Sequence, residues 1–238
     1  MSKLSAQELV DKFAAAVVYV AVELPNGDQS VGSAFHVGDG VFITARHVVD
    51  GCRILEVANT FGRQPKIGKL IGGPFFHPDP SVDVAAILIQ GLECPIIQLG
   101  GHLDDWIVDD QFLLNEVVIL GFPPIPFARS PVLVASRAEV SAVVDKYTGG
   151  HPHFVISAMA RGGFSGGPCL TGDGWALGLV TESLVDSSKA VELGYLAVLT
   201  VEPIHICLSH HGIIPSTQDI KFGGDHSSVS TDPSDEPF

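Results

Sequence analysis

Basic residues are scarce in this chain: 13 Lys and Arg stand against 27 Asp and Glu over 238 residues, a formal net charge of −14. A surface of that sign repels phosphate backbones and anionic lipid, so neither nucleic acid nor a membrane is expected as a partner. Cysteine is also rare. Cys52, Cys94, Cys169 and Cys207 are widely spaced and form no C-x-x-C pair. Four cysteines allow two disulfides in three ways, which spacing alone leaves open. A thiolate metal site is not expected, and buried thiols in a reducing compartment are the simpler reading. The apolar run from Phe13 to Val22 is ten residues long, against about 20 needed to cross a bilayer. Glu8, Asp11 and Lys12 crowd its front edge, and no small-x-small cleavage site with a polar flank follows, so it does not read as a secretion signal. A soluble, cytoplasmic protein is expected. No internal repeat is evident, and helical periodicity is missing except near the start and over 201–208.

Apolar residues make up 46% of the chain, enough for a sizeable core. Its 26 glycines and 16 prolines suit many short strands joined by turns. Ser5-Ala6-Gln7-Glu8 fits a capping box and predicts a helix from there to about Ala15. Strands are expected over 17–22, 32–37, 41–44, 53–57, 84–89, 116–120, 132–144, 153–156, 175–181 and 194–199. Strands of this number and length indicate a sandwich or barrel. The expected organisation is an N-terminal helix over 1–16, a first β unit over 17–100, a Gly- and Asp-rich connector over 101–113, a second β unit over 114–212 and a disordered acidic tail over 213–238. The acidic run from Asp104 to Asp110 reads as solvated surface.

Three segments carry chemistry. The first runs from Gly32 to Val49 and reads as a hairpin turned at Gly38-Asp39-Gly40, with His47 just past its second strand. The second is Asp83-Val84-Ala85-Ala86-Ile87-Leu88-Ile89, an acid at the mouth of a buried strand. The third is Arg161-Gly162-Gly163-Phe164-Ser165-Gly166-Gly167-Pro168, a serine inside a glycine-rich turn. Acyl transfer by serine needs a base for the hydroxyl, a carboxylate to orient that base, and two preorganised donors for the developing oxyanion. A lone histidine after a strand is ordinarily structural, and a lone aspartate before one is ordinarily a turn residue. The order His, Asp, Ser gives the combination its meaning, because α/β-hydrolases use Ser, Asp, His. His151-Pro152-His153 reads as a polar turn rather than a metal site, and His210-His211 as a helix end.

The blocks Thr44-Ala45-Arg46-His47-Val48-Val49, Asp83-Val84-Ala85 and Gly163-Phe164-Ser165-Gly166-Gly167-Pro168 resemble the signature segments of the trypsin-like serine peptidases, in particular the bacterial HtrA/Deg branch. The likeness covers roughly residues 17–212. It implies an all-β, chymotrypsin-like fold of two perpendicular six-stranded antiparallel β-barrels with the site between them. His47 and Asp83 would come from the first barrel and Ser165 from the second. It assigns the oxyanion hole to the N–H groups of Gly163 and Ser165, and a strand-like substrate contact to Thr181, Glu182 and Ser183. It puts Gly194 and Leu196 on the walls of the specificity pocket and Met159 near its floor, which predicts cleavage after small or medium apolar residues. Glu182 at the pocket mouth is the rival feature, since it would attract a basic residue.

Phe164 departs from the secreted digestive relatives, whose Asp there pairs with a new N-terminal amine, so activation by trimming is not expected. The glycine pair after Arg161 makes an oxyanion loop that is mobile at rest the expected control instead. No PDZ module is expected to follow. The function expected is a serine endopeptidase acting on polypeptides, with no cofactor and no metal. The alternatives are a protease-fold binding module, and an effector silent until a regulatory protein partner orders the oxyanion loop.

Overall fold

The computed structural model describes residues 3–62, 65–101, 112–144, 151–158, 162–186 and 191–218, with 182–186 and 191–193 entering through their backbone. Helix α1 (Ala6–Phe13) opens the fold with the expected capping box: Ser5 Oγ accepts from the Glu8 N–H, and the Ser5 N–H donates to Glu8 Oε2. Its buried face, Leu9 and Phe13, is 2% exposed at each residue. Each is worth roughly 1.5–3 kcal/mol of burial.

The first barrel contains β1 (Val17–Glu23), β2 (Gln29–Gly38), β3 (Val41–Thr44), β4 (Arg53–Asn59), β5 (Lys66–Phe76) and β6 (Ala85–Gln90). It closes in the order β1-β2-β3-β6-β5-β4. A short helix α2 (Arg46–Val49) lies between β3 and β4. The β2–β3 turn is the expected one. Asp39 and Gly40 both have positive φ, 50° and 74°, as a two-residue turn matching strand twist requires. Strand β5 was not expected from the sequence. Its lysines and glycines leave it mostly exposed, without the alternation that marks a half-buried strand.

After the two-residue β7 (Gln98–Leu99) come β8 (Glu116–Gly121), β9 (Val134–Val144), β10 (His153–Ile156), β11 (Pro168–Thr171), β12 (Trp175–Asp186) and β13 (Val191–Thr200). These form a sheet ordered β11-β8-β9-β10-β13-β12-β7, and a β11–β12 pairing closes six of its strands into the second barrel. Helix α3 (Glu202–His210) follows, ending at the expected histidine pair.

One core cluster joins the barrels, with Phe35 and Ile43 from the first packing with Leu120, Phe122, Leu170 and Leu199 from the second and with Phe13 of α1. The expected connector and its acidic run lie largely outside the described residues. Residues 213–218, which the sequence assigns to the tail, pack on the first barrel, and the rest of that segment lies outside the described residues. Gln218 is 7% exposed, and its amide donates to the Val37 and Ile97 carbonyls while its oxygen accepts from the Leu99 N–H. A polar, apolar-poor segment reads as tail, yet its burial is satisfied by hydrogen bonds rather than by hydrophobic area.

Candidate active site

Strand register brings the first two segments together. In the β3–β6 pair Thr44 faces Ala85. His47 lies three residues after the end of one strand and Asp83 two before the start of the other, so both emerge at the same end of the sheet. Asp83 holds His47 twice. The His47 backbone N–H donates to Oδ1 at 2.9 Å, and ring Nδ1 is 2.7 Å from Oδ2. A carboxylate only accepts, so Nδ1 carries the proton and Nε2 is left as the basic nitrogen. The carboxylate is not sealed away, its side chain being 28% exposed.

Ser165 arrives from the other barrel. Its turn is bonded to β12 through Gly166 N–H to the Val180 carbonyl and Val180 N–H to the Gly167 carbonyl, at 2.8 and 2.9 Å. It is tied to β2 through Ser33 N–H to the Ser165 carbonyl at 2.9 Å. The glycines here are required. Gly163 has φ +94°, and a Cβ on it would sit 2.5 Å from the Phe122 carbonyl oxygen. Gly166 has φ +87°, and a Cβ there would meet the Ser33 carbonyl oxygen at 2.0 Å.

His47, Gly162, Gly163 and Ser165 line one cleft of about 180 Å³, whose walls also include Val22, Leu24, Val31 and Val48 of the first barrel. Among the described residues, the N–H groups of Gly163 and Ser165 take no backbone acceptor. The Ser165 hydroxyl donates to the Thr181 carbonyl at 3.2 Å.

The remaining expected contacts are more scattered. Thr181 is buried, and its hydroxyl donates to the Ala197 carbonyl. Glu182 and Ser183 continue β12, paired with Ala197 and Leu196 of β13. From Thr181 to Asp186 the opposite edge of β12 has no strand partner among the described residues. Gly194 is exposed with open space where a Cβ would lie. Leu196 packs in the core of the second barrel at 1% exposure. Met159 and Arg161 lie outside the described residues, as do the side chains of Glu182 and Ser183. Of the four apolar residues walling the cleft, Val48 lies in the block around His47, while nothing in the sequence singles out Val22, Leu24 or Val31. The four share a wall only because β1, β2 and α2 are neighbours.

Residues 32–179 match the model of the trypsin-like peptidase domain. The chain belongs to that family. It is also 26% identical over 181 residues to a probable periplasmic serine endoprotease, DegP-like, of Marinomonas sp. (strain MWYL1), covering 76% of this chain and 34% of the relative. It is 25% identical over 184 residues to the chloroplastic protease Do-like 2 of Arabidopsis thaliana, covering 72% of this chain and 27% of that one. The chain thus spans about a third of the length of these curated relatives. Among solved structures, the HtrA-type protease AlgW with tripeptide superposes with a TM-score of 0.65 at 22% identity, over 87% of this chain and 64% of that one. The Rv3671c protease from M. tuberculosis in its active form gives 0.64 at 22% identity, over 88% and 87%. At these identities the solved structures speak for the shared peptidase fold alone.

Proposed function

We propose that this trypsin-like peptidase chain is a serine endopeptidase in which Ser165 is the nucleophile, His47 the general base and Asp83 its orienting partner. The observation that carries the reading is the convergence on one cleft of a serine, a histidine with its Nδ1 proton held by a carboxylate, and two backbone N–H groups that meet no backbone acceptor among the described residues. In this reading His47 Nε2 takes the Ser165 proton as Oγ attacks the scissile carbonyl. The Gly163 and Ser165 N–H groups receive the oxyanion, and the imidazolium then protonates the leaving amine. Acyl-enzyme hydrolysis repeats the sequence with water. No cofactor enters any of these steps.

The unpartnered edge of β12 from Thr181 onward supports a polypeptide substrate added as a strand. Cleavage after a small or medium apolar residue, over a floor at Met159, stays part of the proposal. Dominant Lys or Arg at the cleaved position in a peptide-library profile would overturn it in favour of Glu182. The four unbridged cysteines support residence in a reducing compartment, the cytoplasm. Titration under denaturing conditions of protein taken from the cell should find four thiols, whereas a count of two or none would place the chain in an oxidising one.

One observation favours a second reading, an effector held inactive until a partner engages it. The Ser165 hydroxyl is donated to Thr181 rather than held for attack. A fluorophosphonate probe decides between the two. Labelling of the isolated chain at Ser165, abolished by Ser165→Ala, supports the constitutive enzyme. Labelling only after addition of a protein partner supports the effector, and no labelling under either condition sinks both.

A further inference from the structure

The protease reading uses His47, Asp83, Ser165 and the donors of the oxyanion hole. It leaves unexplained a fully buried hydroxyl beside them. Ser33, on β2 of the first barrel, is 0% exposed. Its hydroxyl donates to the Gly163 carbonyl at 2.6 Å and accepts from the Phe122 N–H at 2.9 Å. Its backbone N–H donates to the Ser165 carbonyl at 2.9 Å. Its own carbonyl accepts from Thr44 Oγ1 at 2.7 Å. One residue of the first barrel therefore binds both ends of the nucleophile turn and the end of β8.

We infer that Ser33 is the positioning residue of the oxyanion hole, holding the Gly163 and Ser165 N–H groups in their catalytic direction through the carbonyls of the same two residues. The reasoning is geometric, and it rests on the serine-peptidase reading. A peptide unit is planar, so fixing the Gly163 carbonyl fixes the whole plane linking Gly163 to Phe164. Fixing the Ser165 carbonyl anchors the other end of the same turn. The Ser165 N–H lies between those two anchors. The Gly163 N–H is then set by the two torsions of Gly163 itself, of which φ is +94°, a value only glycine holds readily. Without the first anchor, the Gly162-Gly163 pair has the backbone freedom to turn that N–H away.

Packing around the hydroxyl agrees with a fixed role. A Cβ on Gly121 would lie 3.0 Å from Ser33 Oγ and 2.9 Å from Phe164 Cδ1, and a Cβ on Gly166 would meet the Ser33 carbonyl oxygen. The backbone closes around Ser33 from both barrels and leaves it no exposure to solvent, so no bulk water stands beside its hydroxyl to replace it when it is removed. Gly163 and Phe122 would then lack a partner for a buried carbonyl and a buried N–H.

Ser33→Ala and Ser33→Gly both remove the hydroxyl and keep the two backbone bonds. The probes are a fluorogenic peptide with Val at the cleaved position and the matching peptide boronate, whose tetrahedral adduct puts an oxygen in the oxyanion hole. Loss of one oxyanion donor costs on the order of 10²–10³ in kcat. A residue acting one bond further back is expected to cost about 10- to 100-fold in kcat, with KM within about threefold. Boronate affinity should fall in parallel with kcat, in protein whose thermal midpoint shows it folded at the assay temperature. A purely structural residue would lower the midpoint and leave kcat and boronate affinity within about twofold, and that result overturns the inference. Failure of both variants to fold does so too. A wild-type chain that the fluorophosphonate labels neither alone nor with a protein partner sinks the protease reading and this inference together, whereas an active wild type with unaffected Ser33 variants removes this inference alone.

Discussion

The two barrels hold their halves of the site by different means. In the first, one side chain does the positioning: Asp83 grips His47 at a ring nitrogen and at the backbone, and the β3–β6 register supplies the proximity. In the second, Ser165 is placed mainly through backbone, by a glycine turn bonded to Val180 on one side and to the Ser33 N–H on the other, with the Ser33 hydroxyl holding the Gly163 carbonyl. The base is therefore vulnerable to changes of side-chain chemistry, and the nucleophile turn to the addition of a single methyl group. Gly166 shows the second kind of sensitivity across the junction between barrels, where it faces the Ser33 carbonyl oxygen, and Gly163 shows it within the second barrel, where it faces the Phe122 carbonyl oxygen.

The largest effects should come from the reacting groups themselves. Ser165→Ala and His47→Ala are each expected to lower kcat by about 10⁶-fold, since such residues act as a unit. Asp83→Asn should cost roughly 10⁴-fold by favouring the wrong imidazole tautomer. Because Asp83 is partly exposed, a markedly smaller loss would show that the backbone bond alone keeps His47 in place. Steady-state kinetics with a fluorogenic peptide measures all three, and normal turnover by Ser165→Ala would end the assignment.

A backbone test comes next in size. Gly163→Ala adds a methyl 2.5 Å from the Phe122 carbonyl oxygen at a φ of +94°. Turning the Gly163 N–H away should cost about 10²–10³ in kcat, while the His47–Asp83 bond in the other barrel stays intact. The His47 ring-proton resonance in NMR reports that bond. A variant that loses kcat and also loses the resonance would erase the distinction between the halves.

The smallest effect is on acid stability. His77 opens the loop that carries Asp83, its N–H donating to the Val84 carbonyl. Desolvation lowers its pKa from 6.5, with the neighbouring His151 and His210 pushing the same way and Asp79 opposing. Buried His205 on α3 is lowered chiefly by the same cause. A depressed histidine stays neutral when folded and takes up its proton on unfolding, so the unfolded state binds more protons below the ordinary histidine range. Stability should be flat above about pH 6.5 and fall as the pH drops below it. Chemical denaturation at successive pH values measures the slope, and His77→Asn should make it shallower. An unchanged slope would remove His77 from the account.

Much of this molecule is legible along the chain. The capping box at Ser5, the two-residue turn at Asp39-Gly40 and the strands 41–44 and 153–156 follow from local chemistry, and the structure has them at the expected positions. Strand β5 escaped because an exposed strand rich in lysine and glycine has no periodic signature. The packing of Gln218 escaped because a polar segment announces disorder unless its partners are known. Ser33 lies inside the segment from Gly32 to Val49 with nothing to distinguish it, since a serine in a strand is ordinary until its hydroxyl is found between two backbone groups.

The sequence by itself determined the fold class and the three segments worth watching, because glycine turns, strand periodicity and the order of His47, Asp83 and Ser165 are local or serial properties. Tertiary structure alone decided that His47 and Asp83 share two hydrogen bonds, that Ser33 reaches across 130 positions to Gly163, and that four apolar residues of the first barrel wall the cleft. These are consequences of barrel closure and strand register, which bring distant residues within hydrogen-bonding reach. Register depends on every pairing around the barrel at once, so no single segment carries it.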